Sequence, residues 1–147
     1  QVFHQTGKKD FDSLKAAVGN QYGSRYRYEP FTNDIAALYA KASLVIGRSG
    51  ALTVSELIQA GCPAIFVPYP RKGQNDQMTN AYLVAEQGAA KVVEQGEDFS
   101  ARLAKTTLEI FEPSVLEGMA KGYGPLRFGN ALSTIADEIQ AQVDGTV

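Results

Sequence analysis

The sequence predicts an α/β domain built on a doubly wound parallel sheet. Short apolar runs alternate along the chain with amphipathic stretches of about 10–14 residues, which is the pattern of βαβ units. Two of those stretches close on a glycine, Gly61 and Gly88, placed where helices stop. Polar, glycine-bearing loops follow the apolar runs, and right-handed crossovers put such loops along one edge of a sheet.

Taken in order, "QVFH" reads as a strand and "DFDSLKAAVGNQY" as a helix with Phe11, Leu14 and Val18 at helical spacing. "SRYRYEP" alternates like a strand and ends at Pro30. "NDIAALYAKA" is a helix capped by Asn33 or Asp34, with Ile35, Leu38 and Tyr39 on its inner face. "SLVIG" is a strand, "GALTVSELIQAG" a helix, and "PAIFVPYP" a near-continuous apolar strand. The loop "RKGQND" leads to the helix "QMTNAYLVAEQG", then "AKVVEQ" supplies a strand. Helices over 97–111 and 126–143 complete the pattern, with "GYGPLRFGN" a turn-rich break before the last.

The 147 residues fit one domain, 1–147, with 44% hydrophobic and 20% charged residues. A net charge of −2 and scattered Lys and Arg argue against a nucleic-acid partner. No apolar run approaches the roughly 20 residues of a membrane span. Cys62 is the only cysteine, which forbids an internal disulfide, and the single His4 excludes a multi-histidine metal site. Cys62 falls at a helix-to-strand turn and reads as structural; His4 reads as a hydrogen-bonded core residue. The chain opens on Gln1 directly in a strand, as a piece of something longer would.

Ligands of open parallel sheets bind beyond the carboxyl ends of the strands. The loops there are "HQTGKK", "PFTND", "GRSGA" and "PYPRKGQNDQ", all rich in Gly, hydroxyl, amide and charged residues. Ser49-Gly50-Ala51 would form a first helical turn with open N–H groups, an anion site suited to a phosphate or diphosphate. The alternative is that Ser49 is an N-cap and nothing more. Ser49, Thr53 and Glu56 follow at i, i+4 and i+7, a polar stripe on an otherwise apolar helix. Glu56 is placed to accept hydroxyl hydrogen bonds from a ribose; alternatively "TVSE" is a capping box. Asp76 and Gln77 enter the next helix and could bind sugar hydroxyls, or Asn75 or Asp76 could simply cap it, with Asn80 one turn on. Arg71 and Lys72 read as solvated charges, and Gly7 with two lysines as a weak phosphate loop.

Together, "HQTGKKDF", "PFTNDIAALYAKASLVIGRSGALTVSELIQAGCPAIFVPYP", "DQMTNAYLVAEQGAAKVV" and "NALSTIADEI" resemble the MurG family in order and spacing. The resemblance covers nearly the whole chain, and "RSGALTVSE" joined to "GCPAIFVPYP" and "DQMTNA" is its specific part. It implies the Rossmann-like C-terminal half of a GT-B glycosyltransferase, which binds UDP-N-acetylglucosamine. Phe31 and Thr32 would then meet the uracil, largely through backbone. Ser49, Gly50, Ala51, Leu52 and Thr53 would cradle the diphosphate and sugar, Glu56 the ribose, and Asp76 with Gln77 the N-acetylglucosamine.

The resemblance further implies transfer to lipid I, forming lipid II for peptidoglycan, with no cofactor and no metal. The family's first strand of this domain and its "GGSxGA"-like loop find no match here, nor does the acceptor domain. The catalytic base, the lipid I contacts and the membrane contact are therefore expected in that absent domain. The full-length protein is expected in the cytoplasm, on the inner face of the bacterial membrane, and this chain alone is expected to be inactive. Two other readings stand beside it: a UDP-sugar-binding subunit of a split two-chain transferase, and a UDP-sugar 2-epimerase-like enzyme.

Overall fold

The computed structural model describes residues 1–70, 76–127, 129 and 131–145. All strands among them run parallel, in two ladders. β1 (Val2–Gln5) pairs with β2 (Tyr26–Glu29), Val2 opposite Tyr26 and Gln5 opposite Glu29. β3 (Val45–Gly47), β4 (Ala64–Phe66) and β5 (Ala90–Val92) form the second ladder in the order β3-β4-β5. The chain divides into two compact units, residues 1–38 and 39–147. Each carries parallel strands alternating with helices.

In the first unit, α1 (Phe11–Val18) ends earlier than its amphipathic pattern does. Gly19 takes a positive φ of 52° and its N–H returns to the Lys15 carbonyl, so the chain leaves the helix and passes through a 3-10 turn at Gly23–Arg25. Aromatic side chains fill the space between α1 and β2: the Phe11 and Tyr28 rings are 5.9 Å apart, those of Tyr26 and Tyr28 5.7 Å. His4 is exposed, not in a core; its Nδ1 lies 2.6 Å from the Tyr26 hydroxyl. His4 shares its ladder face with Tyr26 and Tyr28, but no residue of β1 is buried in this two-stranded ladder. α2 (Ile35–Tyr39) is capped by Asp34, whose Oδ1 accepts the Ala37 N–H at 3.1 Å.

The second unit holds the main core. β4 is buried on both faces, with Ala64, Ile65 and Phe66 fully covered, as its unbroken apolar sequence requires. On one side Phe66 packs with Val54, Leu57 and Ile58 of α3 (Ala51–Ala60), Ala81 and Val84 of α4 (Asp76–Glu86), and Tyr123. On the other, Ile65 and Val93 meet Ile110 of α5 (Phe99–Ile110) and Met119 of α6 (Pro113–Gly122). The sequence reading did not include α6. Its signal was present: Pro113 occupies the first helical turn, where a missing N–H is harmless, and Leu116 and Met119 follow at helical spacing. A 3-10 turn at Gly124–Leu126 then precedes α7 (Ala131–Val143), which starts later than the expected residue 126. No described helix is long and apolar enough to cross a membrane.

Candidate functional site

The carboxyl ends of β3, β4 and β5 present the second unit's polar cluster. β3 stops at Gly47, and α3 begins at Ala51 with Gly50 as its N-cap residue. Ser49 therefore precedes the helix instead of opening its first turn. Its hydroxyl is fully buried and donates to the Gln77 carbonyl at 2.6 Å, while its own carbonyl accepts from Asn80 Nδ2 at 3.1 Å. Ser49 thus ties the entry of α3 to the first turn of α4, and its side chain is no N-cap. The first intrahelical bond of α3 is Val54 N–H to Gly50 C=O, so the N–H groups of Ala51, Leu52 and Thr53 precede the ladder and find no acceptor among the described residues. They form a patch of open donors at the positive end of the helix dipole.

Gly50 flanks that patch with an extended backbone, φ −63° and ψ 150°. A Cβ built there would meet nothing within 4 Å. The chain's own packing therefore does not demand glycine at this position. Leu52 is 74% exposed beside it.

Thr53 and Glu56 are both half-buried on α3. Because the helix starts at Ala51, Thr53 is its third residue and cannot be the N-cap of a capping box, so Glu56 has no such duty. The Tyr39 hydroxyl faces Glu56. Burial first, then the nearby Glu56 carboxylate, raise the pKa of Tyr39.

Gln77 is held at both ends: its backbone carbonyl by Ser49, and its Oε1 by the Tyr69 N–H at 3.0 Å. Asp76 opens α4 and is exposed. Arg71, Lys72 and Asn75 lie outside the described residues. Phe31 and Thr32 belong to the first unit. The Phe31 ring is 58% exposed, and the Thr32 N–H donates to Gln5 Oε1 at 3.1 Å. Two open depressions, of about 430 Å³ beside Lys121 and Arg127 and about 550 Å³ beside Tyr22 and Tyr26, are lined by none of these residues.

A family model described as the glycosyltransferase family 28 C-terminal domain matches residues 1–139. The chain belongs to this family. Among relatives of family 28, the UDP-N-acetylglucosamine--N-acetylmuramyl-(pentapeptide) pyrophosphoryl-undecaprenol N-acetylglucosamine transferase of Burkholderia mallei (strain SAVP1) is 42% identical over 139 residues. That match takes in 92% of this chain and 38% of the relative, so the chain spans well under half the length of such proteins. The crystal structure of Acinetobacter baumannii MurG superposes with a TM-score of 0.84 at 32% identity, covering 94% of this chain and 42% of that one. A glycosyltransferase of kitacinnamycin shares the fold, with a TM-score of 0.73 at 21% identity over 95% of this chain and 34% of its own. These neighbours are GT-B glycosyltransferases, and the parallel α/β architecture here is that of their C-terminal domain.

Two residues that do structural work in this polar cluster were not among the sequence candidates: Arg48 and Tyr69. Asn80 was legible as the residue one turn beyond Gln77. Arg48 and Tyr69 were not, because their partners are backbone groups and an amide brought near only by the fold.

Proposed function

We propose that this chain is the donor-binding part of an inverting transferase that moves N-acetylglucosamine from UDP-N-acetylglucosamine to lipid I. The observation that carries the reading is the open, glycine-flanked N-terminus of α3, with a carboxylate on the same helix and a fixed amide at the start of α4. In this reading the N–H groups of Ala51, Leu52 and Thr53 hold the diphosphate, Glu56 the ribose hydroxyls, and Asp76 and Gln77 the sugar. Phe31 and Thr32 are assigned to the uracil. Ser49 contributes by fixing the loop, since its hydroxyl is already used.

The chemistry follows from that placement. A hydroxyl of the acceptor sugar attacks the anomeric carbon from the face opposite the diphosphate, the glycosidic bond to UDP breaks, and the configuration inverts. Charge gathers on the departing diphosphate, where the preorganised N–H donors and the helix dipole stabilise it more than they do the intact donor. The acceptor's proton goes to a base that this chain is not assigned. Lipid I, the membrane surface that carries it and the cytoplasmic face belong to the same proposal through the remainder of a full-length protein.

Titration with UDP-N-acetylglucosamine, with UDP, ADP and GDP as controls, tests the reading by backbone NMR. Uridine-selective shifts at residues 31–32, 49–56 and 76–77 are expected. Glu56→Ala should weaken UDP by about 1–3 kcal/mol, the range for hydrogen bonds to a charged group. Shifts that do not distinguish uridine from adenosine and guanosine, or a Glu56→Ala variant that binds as before, would count against the assignment. Transfer to lipid-linked acceptor by this chain alone should be undetectable.

A further inference from the structure

Arg48 stands at the corner where β3 ends, and the proposed donor contacts make no use of it. Its guanidinium is nonetheless committed. Nη1 donates to the Val67 carbonyl at 3.0 Å, the Pro68 carbonyl at 3.2 Å and Gln95 Oε1 at 3.0 Å, and the group lies 5.3 Å from the centre of the Tyr69 ring. One side chain from the end of β3 therefore pins the segments that leave β4 and β5.

The Pro68 contact has a directional consequence. The Pro68 carbonyl and the Tyr69 N–H belong to one peptide unit, which is planar and trans, so the two groups point in opposite directions. Fixing the carbonyl on Arg48 aims the N–H away from it, and that N–H donates to Gln77 Oε1 at 3.0 Å. A charge-assisted bond to the carbonyl also polarises the peptide and strengthens the donor on its far side. An amide nitrogen cannot accept such a bond, so the end of Gln77 facing Tyr69 is its oxygen and the other end is its NH₂. That NH₂ has no partner among the described residues. Meanwhile Ser49, next to Arg48 in sequence, holds the Gln77 backbone.

We propose that Arg48 is a positioning residue for Gln77, acting through the Pro68–Tyr69 peptide so that Gln77 offers only N–H donors to a bound ligand. The ligand group it selects is an acceptor oxygen, a sugar hydroxyl or an acetamido carbonyl, and a group able only to donate is rejected there. The assignment of that oxygen to the donor sugar rests on the reading under Proposed function; the relay from Arg48 to Gln77 does not.

Two variants separate these parts. R48M keeps the apolar stem and removes the donors. In the ligand-free chain, hydrogen exchange of the Tyr69 amide should then quicken about tenfold, and the affinity advantage of UDP-N-acetylglucosamine over UDP should fall about three- to tenfold. R48K, which keeps a point donor, should recover part of both. Q77E keeps an oxygen for the Tyr69 N–H but has no donor, so exchange at Tyr69 should stay slow while the sugar's advantage disappears. An unchanged Tyr69 exchange rate in R48M overturns the relay. A sugar advantage that survives in Q77E overturns the donor role of Gln77, and this holds even should R48M fail to fold. A wild-type chain that binds neither UDP nor UDP-N-acetylglucosamine sinks the donor reading, and the exchange rates then judge the relay alone.

Discussion

At Gly50 and Ser49, adjacent residues divide the work of the site in opposite ways. Ser49 is fully buried with both its hydroxyl and its carbonyl bonded inside the protein, so its contribution to any ligand is the position of its neighbours. Gly50 has ordinary extended dihedrals and empty space where a side chain would be. Gly50→Ala should therefore change thermal stability by no more than about 1 kcal/mol, the scale of an N-cap substitution. The same methyl would stand beside the open N–H groups of α3 and should weaken UDP at least about tenfold, since an anion must come within about 3 Å of those donors to bind. Calorimetric titration beside a thermal melt reads both. Loss of stability without loss of affinity would mean that the glycine serves the fold after all.

Among the elements, α6 depends on a glycine for the contrary reason. A Cβ on Gly122 would run into the Gln87 carbonyl and come within 2.9 Å of the Ala89 nitrogen, both backbone atoms just ahead of β5. Backbone cannot swing aside as a side chain tip can, so Gly122→Ala must push α6 away from the segment feeding β5. A loss of about 1–3 kcal/mol is expected, the range for overpacking with backbone displacement, read by chemical denaturation. Most elements were legible in the sequence because their signals are local: the unbroken apolar run of β4, and the helix ended by Gly61, whose φ of 64° is the left-handed stop that its position suggested. α6 was missed although Pro113 marked it, and the helix bounds around Gly19 and residue 126 were overrun because periodicity continues past a backbone stop. In the site, residue types that bind ligands could be picked from the loops. That Ser49 faces inward, and that Arg48 reaches the strands beyond its own, depends on register between β3, β4 and β5, which no local pattern encodes.

For the molecule as a whole, the buried thiol and phenols of the second unit set an alkaline limit. Cys62, in the turn that leads into β4, is buried, and burial raises its thiol from 9.0 to about 11. The Tyr123 hydroxyl is fully buried without a hydrogen-bond partner among the described residues, and burial foremost, then the Cys62 charge, raises its pKa; Tyr39 is raised as well. Each is neutral when protonated, so a raised folded-state pKa means that the folded chain holds protons the unfolded chain has released. The stabilisation is complete below the unfolded values and is lost as pH climbs through the folded ones. Stability should therefore hold steady up to about pH 9, then fall towards pH 11 as the unfolded thiol ionises, more steeply above pH 10 where the unfolded tyrosines join it. Cys62→Ala removes the first of these groups, and the onset of the fall should move up towards pH 10, whatever the variant's baseline stability. Urea midpoints for both proteins at half-unit steps from pH 7 to 11 measure it. A shared onset at pH 9 would show that the thiol does not carry the first part of the loss. An onset displaced by about one pH unit would show that the packing around Cys62 excludes charge as well as water.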